Sequence, residues 1–197
     1  MVESVARAVA ETVSGASAGT FMRRRDFGGS DRAVETALSR LTAEDELVRV
    51  RRGLYYRGKK TRFGMTRPAV LDIALTVAGT GAGPAGVAAA RMLGLTTQVP
   101  SMVEVAVPGK SPEPLEGVRF RSRSYGRREH KMSPLEIAFI ELLRDPGASE
   151  EPWRTVATRL SALVAEQKVR PDVIAEEIFE EKHLGARERW SALAVLA

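Results

Sequence analysis

The stretch from Ser133 to Arg144 constrains the fold more than any other part of the sequence. Ser133-Pro134-Leu135-Glu136 places a hydroxyl at the N-cap, a proline at the first helical position and a glutamate at the third. That combination is a strong helix-start signal. Leu135, Ile137, Ala138, Phe139, Ile140, Leu142 and Leu143 then cover more of the circumference than one surface stripe needs. A helix of this kind must be packed on several sides, so the pattern predicts the central member of a C-terminal helical bundle. Its neighbours are a helix carrying Trp153, Val156, Leu160, Leu163 and Val164, one beginning near Pro171 with Ile174 and Ile178, and a last one with Trp190, Leu193 and Leu196. A chain of 197 residues is long enough to bury such a core.

The N-terminal end is patterned differently. Val2, Val5, Ala6, Val9 and Val13 form the stripe of an amphipathic helix, which stops in the small residues 14–19. A short helical segment, Thr20–Phe27, runs into Gly28-Gly29. Ser30 offers an N-cap and Asp31 suits the positive end of the helix that follows. That helix sets Val34, Ala37, Leu38 and Leu41 on one face and Arg32, Glu35, Thr36, Ser39 and Arg40 on the other. Two short β runs, Leu47–Arg51 and Leu54–Tyr56, flank Arg52-Gly53 and read as a hairpin. Helix, short helix, helix and basic hairpin is the order of a winged helix-turn-helix, with Ser30–Ala43 as recognition helix. On that reading Arg23, Arg24, Arg25, Ser30, Arg32, Thr36, Arg40, Arg49, Arg51 and Arg52 contact DNA. The plainer alternative is a small α+β domain whose arginines are merely solvated.

Between these ends, Lys59-Lys60-Thr61-Arg62 and Thr66-Arg67-Pro68 form a polar boundary. Ala69–Ala78 is apolar nearly all round and predicts a buried helix, Gly79–Pro84 a loop, and Ala85–Leu93 a second helix. Val103–Val107 alternates as a strand, and Val118–Arg123 reads as its hairpin partner across the turn segment 108–116. Arg119, Arg121 and Arg123 share one face, suited to phosphate, to an acidic protein surface or to discouraging edge pairing. The fold class expected is therefore α+β in three parts: a winged helix over residues 1–66, an α+β hairpin region over 67–128 and a helical region over 129–197.

Several chemistries are excluded by residue supply. There is no cysteine, which removes disulfides, thiolate metal sites and a cysteine nucleophile. Two histidines, His130 and His183, leave little for a zinc site, and both read as surface residues. Gly109-Lys110-Ser111 echoes the end of a phosphate loop, but the required earlier glycine is Glu104 and the glycines of 79–86 match no dinucleotide fingerprint. No enzyme, cofactor or metal is expected. No apolar run reaches membrane-spanning length, and charges at Glu3, Arg7 and Glu11 interrupt any signal core, so a cytoplasmic chain without a membrane partner is expected. Charge is polarised: residues 1–128 hold 21 Lys+Arg against 12 Asp+Glu, and residues 129–197 hold 9 against 13. In the acidic part, Glu176, Glu177, Glu180 and Glu181 stack at i, i+4 spacing, as a solvated face or as a docking face for a basic partner.

Two stretches carry a family resemblance. Ser30-Asp31-Arg32-Ala33-Val34-Glu35-Thr36-Ala37-Leu38-Ser39-Arg40-Leu41, followed by residues 47–55, resembles the N-terminal winged helix of AbiEi-family antitoxins. Met92-Leu93-Gly94-Leu95-Thr96-Thr97-Gln98-Val99-Pro100 is similar to a further segment of the same proteins, and Ser133-Pro134-Leu135-Glu136 to one of their helix starts. The resemblance implies an antitoxin whose winged helix binds promoter DNA and represses its own operon. A homo-oligomer on that DNA is the expectation if two copies bind one face of the duplex. The resemblance also implies a C-terminal part that neutralises a nucleotidyltransferase-like toxin of the AbiEii and MenT type. The acidic balance of residues 129–197 then offers Glu176, Glu177, Glu180 and Glu181 as contacts for a basic toxin surface. Two other readings stand beside it. One is a stand-alone regulator whose C-terminal helices dimerise, the other an enzyme binding a nucleotide through residues 67–128.

Overall fold

The computed structural model describes residues 4–181 and 183–196, with side chains as far as residue 193. The expected parts of Val2 and Leu196 in helix stripes lie outside what is described. The architecture is α+β, and the chain divides into two compact units, residues 1–69 and 70–197.

In the first unit, helix α1 (Val5–Gly15) is capped by Ser4, whose side chain accepts from Arg7 N–H. Its last carbonyls, of Val13 and Ser14, accept from the Arg57 guanidinium, a cation at the negative helix end. The segment expected as a short helix is instead strand β1 (Thr20–Arg23) and one 3-10 turn (Arg24–Asp26). Three residues are too few to close an α-helical turn. Helix α2 (Asp31–Ala43) starts at Ser30, whose hydroxyl accepts from Ala33 N–H at 3.4 Å. Strands β2 (Val48–Arg51) and β3 (Leu54–Arg57) pair antiparallel about Gly53, and β1 pairs antiparallel on the other side of β3. Val9, Val13, Val34, Leu38, Leu41, Leu47 and Tyr55 are buried together between helices and sheet. The residues expected as a polar boundary form a second hairpin, β4 (Lys60–Thr61) with β5 (Gly64–Met65).

In the second unit, helix α3 (Val70–Ala78) buries only Ala74 completely, so the expected wholly buried helix is half-buried. The stretch expected as a loop contains strand β6 (Gly83–Ala85), followed by helix α4 (Gly86–Met92). Strands β7 (Val103–Pro108) and β8 (Val118–Arg123) complete a sheet of order β6-β7-β8. They do not form the expected hairpin. They run parallel, with Val103 opposite Val118 and Pro108 opposite Arg123. Alternation of side chains carries no information about strand direction, and the connection is long enough for either. Six residues of strand advance about 17 Å, and the connecting residues 109–117 reach back up to about 30 Å when extended.

A short helix α5 (Gly126–Glu129) leads to α6 (Pro134–Arg144), then α7 (Trp153–Ala165), α8 (Pro171–Glu180) and α9 (Leu184–Leu196). Helix α6 has eight buried residues in succession, Glu136 to Leu143, and packs on β6, α4, α8 and α9. Gly83 makes the close approach of β6 possible: a Cβ there would stand 2.5 Å from Ile137. The division expected at 128/129 is therefore absent. Ala85 and Ala89 of the middle region share one core with Phe139, Leu160 and Ile178.

Candidate nucleic-acid interface

The ten residues expected to contact DNA all lie in the first unit, which holds 14 Lys+Arg against 8 Asp+Glu. The second unit holds 16 against 17. Helix α2 turns Val34, Ala37, Leu38 and Leu41 into the core, and its opposite face leaves Arg32, Thr36 and Arg40 exposed in one stripe. Thr36 Oγ1 donates to the Arg32 carbonyl at 2.8 Å, which holds that hydroxyl against the helix. Arg40 Nε lies 3.4 Å from Glu44, one turn on. Ser30 spends its side chain on the helix cap, so its role in the site is positional.

The remaining arginines gather at the start of α2. Arg24 pairs with Asp31, the first residue of the helix, and its N–H donates to Gly53 O at 3.2 Å. These contacts bring the Arg52-Gly53 turn beside the 3-10 turn that carries Arg25. Arg23 is half-buried in β1, with its N–H donating to Asp26 Oδ2 at 2.6 Å. The ladder shifts register between Arg49 and Arg51, an irregularity that bends and twists a strand. Arg49 is exposed and Arg51 half-buried. Among the described residues, Arg25, Arg32, Arg49 and Arg52 are exposed without an ion pair, so their charge is available to an outside anion.

The acidic residues of the second unit are not one solvated or docking face. Glu177 and Glu181 are buried. Glu181 pairs with Arg127 and, at 2.6 Å, with Arg144. Arg127 is wholly buried, and its Nη2 lies 2.8 Å from Glu141 Oε1, close enough for an ion pair but outside hydrogen-bond geometry. Arg123 closes the set with two 2.8 Å hydrogen bonds to Glu141. Burial by itself would raise the Glu141 carboxyl, yet hydrogen bonding to Arg123 and the charge of Arg127 hold it below the ordinary carboxylate range. Glu177 is pushed the other way, by burial first and by the neighbouring Glu181 charge, against a hydrogen bond from Ser124. Only Glu176 and Glu180 remain exposed as candidate partner contacts. The signal for the buried pair was present in the sequence. Ile174, Glu177, Ile178 and Glu181 follow i, i+3, i+4, i+7 spacing, so both glutamates share the face of the buried isoleucines.

The other charged candidates are also committed to structure. Arg119 and Arg121 both bind Glu104, at 3.1 and 2.6 Å, so they are not free for phosphate. His130 is half-buried with Nδ1 3.1 Å from Glu177 Oε2, and His183 Nδ1 accepts from Ala186 N–H at the start of α9. Burial, then the charges of Arg144 and Arg189, lowers the His183 imidazole. Neither is a plain surface histidine. His130, Glu177 and Glu180 present ligand-type atoms within 4.8 Å of one another, the arrangement a divalent cation would use, but Glu177 is already engaged with His130.

Comparison with known proteins adds a family and a fold. The sequence model described as a family of unknown function, DUF6088, matches residues 8–114, which include α2 and every arginine named above as available. No curated protein matches the sequence. Among solved structures, the Rv2827c protein from Mycobacterium tuberculosis is similar in fold, with a TM-score of 0.52 and 16% identity over 98% of this chain and 76% of that one.

Proposed function

The chain belongs to the DUF6088 family, whose function is unknown, and we propose that it is a DNA-binding repressor whose first unit is a winged helix. One observation carries the reading: Arg32, Thr36 and Arg40 form an exposed stripe on a capped helix, beside a turn that carries further arginines and within a basic unit. An α-helix fits the major groove of B-DNA, where an arginine can bond a guanine edge in two places. Arg25, Arg49 and Arg52 then lie against phosphates and supply the sequence-independent part of the affinity.

The resemblance of residues 30–41, 47–55 and 92–100 to AbiEi-family antitoxins supports a wider role. The chain would repress the operon it shares with a nucleotidyltransferase-like toxin and neutralise that toxin through the second unit. On that reading Glu176 and Glu180, with the exposed Phe179 between them in sequence, form the acidic contact for a basic toxin surface.

A gel-shift titration of the full chain against the duplex upstream of its own gene tests the first part. Preference for that duplex over random DNA is expected, with half-sites about 34–36 Å apart if two copies bind one face. Equal affinity for both would remove the repressor role. Co-expression with the neighbouring gene product tests the second, with growth rescue and co-purification as the readouts. A chain that binds its promoter but gives no rescue would be a stand-alone regulator.

A further inference from the structure

The hairpin β4–β5 carries the most exposed large apolar side chain among the described residues, Phe63, at 85%. It is also rigid. Thr61 Oγ1 donates to Gly64 O at 2.7 Å and accepts from Phe63 N–H at 3.2 Å, which locks the two-residue tip Arg62-Phe63. At its base, Thr66 N–H donates to Lys59 O at 3.0 Å and Lys59 N–H to Thr66 Oγ1 at 2.8 Å. A phenylalanine held out in water on a fixed support forgoes the stabilisation that burial would give.

The surroundings of the ring are cationic. Arg62 stands 4.6 Å from the ring centroid, and Lys59, Lys60 and Arg67 lie within the same ten residues, which contain no acid. Glu46 takes up Lys60 at 2.8 Å and Asp45 lies beside Gly64, so the hairpin keeps a net positive charge. A flat apolar ring ringed by cations complements a partner that is anionic outside and aromatic within. Stacked base pairs between phosphate strands have that character.

The position of the hairpin favours duplex DNA. The Glu46–Lys60 pair and Asp45 beside Gly64 place it just beyond the end of α2, whereas the Arg52-Gly53 turn sits at the start of α2 through Arg24. The two basic features therefore bracket a helix about 20 Å long. A major groove occupied by a helix is bordered on each side by a phosphate strand and the next minor groove. We propose that Phe63 enters the minor groove next to the α2 site, inserts between two base pairs and kinks the duplex, with Arg62 on the adjoining phosphate. This rests on the DNA-binding reading above and extends it to a second contact that reads how readily a base step opens.

The test uses the full chain and a duplex from upstream of its own gene, with 2-aminopurine placed singly at successive positions and the bend measured by energy transfer between the ends. Wild type should raise 2-aminopurine fluorescence at one step beyond the α2 contacts and bend the duplex by about 20–90°. Phe63→Ser should abolish both signals and weaken binding about tenfold with an unchanged melting temperature. Phe63→Leu, which keeps an apolar wedge, should retain most of the bend. Tight binding by Phe63→Ser with wild-type bend and fluorescence would overturn the wedge alone. No preference of wild type for this duplex would overturn the DNA reading and the wedge with it. A change in oligomeric state in place of any DNA signal would instead assign the ring to self-association and sink the proposal.

Discussion

The two units use the same amino acid in opposite ways. In the first, Arg25, Arg32, Arg49 and Arg52 stand in water without an ion pair, on a unit with an excess of cations. In the second, Arg123, Arg127, Arg144 and Arg170 are bound to Glu141, Glu181 and Glu136. Glu136 is both the capping-box residue of α6 and the partner of Arg170, whose N–H and guanidinium it accepts at 2.7–2.9 Å. Arginine content alone therefore does not identify a polyanion site. What distinguishes these two sets of arginines is whether a buried carboxylate from another element stands opposite the guanidinium.

The largest expected effect breaks the comparison on the buried side. Arg127→Ala removes the wholly buried cation from between Glu141 and Glu181, leaving Arg123 and Arg144 at the rim, and should cost about 3–5 kcal/mol of stability, read by chemical denaturation. Specific DNA affinity at a temperature where the variant is folded should be unchanged. On the exposed side the pattern reverses. Arg32→Ala should weaken binding to the preferred duplex by about 1–3 kcal/mol if the contact is bidentate, and relax preference at one base pair, with no change in melting temperature. Arg52→Ala should lower affinity for all sequences and reduce the slope of log K against log salt by about 0.9, measured by titration at several salt concentrations.

The smallest effect concerns Glu177, which faces His130, Ser124, Glu181 and Arg127. Its carboxyl is raised in the folded state, so the folded protein holds the proton to higher pH than the unfolded chain does. Stability contributed by the neutral form is lost as pH rises through the folded value, and the penalty is complete above it. Glu177→Gln mimics the neutral form, so its melting temperature should exceed that of wild type at pH 7, with the advantage fading towards about pH 4.3. Glu141 is lowered and carries the opposite sign: its stabilisation is present at neutral pH and is lost on acidification through its folded value. A Glu177→Gln variant less stable than wild type at pH 7 would show that the contacts of the ionised carboxylate outweigh its burial.

What was legible in the sequence was local. Ser30 and Ser133 mark the starts of α2 and α6 because a cap is written within four residues. The apolar excess of α6 likewise announces a helix surrounded on several sides. What was hidden depends on partners far along the chain. The parallel course of β8 shows only in its register against β7, because alternation is identical for either direction. The β4–β5 hairpin has two residues per strand, too few for any period to register. The burial of Glu177 and Glu181 could be read from their spacing with Ile174 and Ile178, but the partners of Glu181, Arg127 of α5 and Arg144 of α6, could not. At the candidate interface the stripe of Arg32, Thr36 and Arg40 was readable from spacing, while the pairing of Arg24 with Asp31 was not.

The salt-bridge cluster around Arg127 also has a kinetic meaning. Its members come from β8, α5, α6 and the end of α8, and Arg127 and Glu181 are separated by 54 positions. A local stage of chain collapse cannot complete it, since Glu181 reaches the guanidinium only when the end of α8 packs beside α5. Interactions absent from the transition state govern the rate of escape from the native state rather than the rate of reaching it. The cluster should therefore act as a latch. In stopped-flow measurements the Arg127 variant is expected to unfold much faster than wild type while refolding at nearly the same rate, so the native lifetime of the second unit is set by charges that play no part in finding its fold.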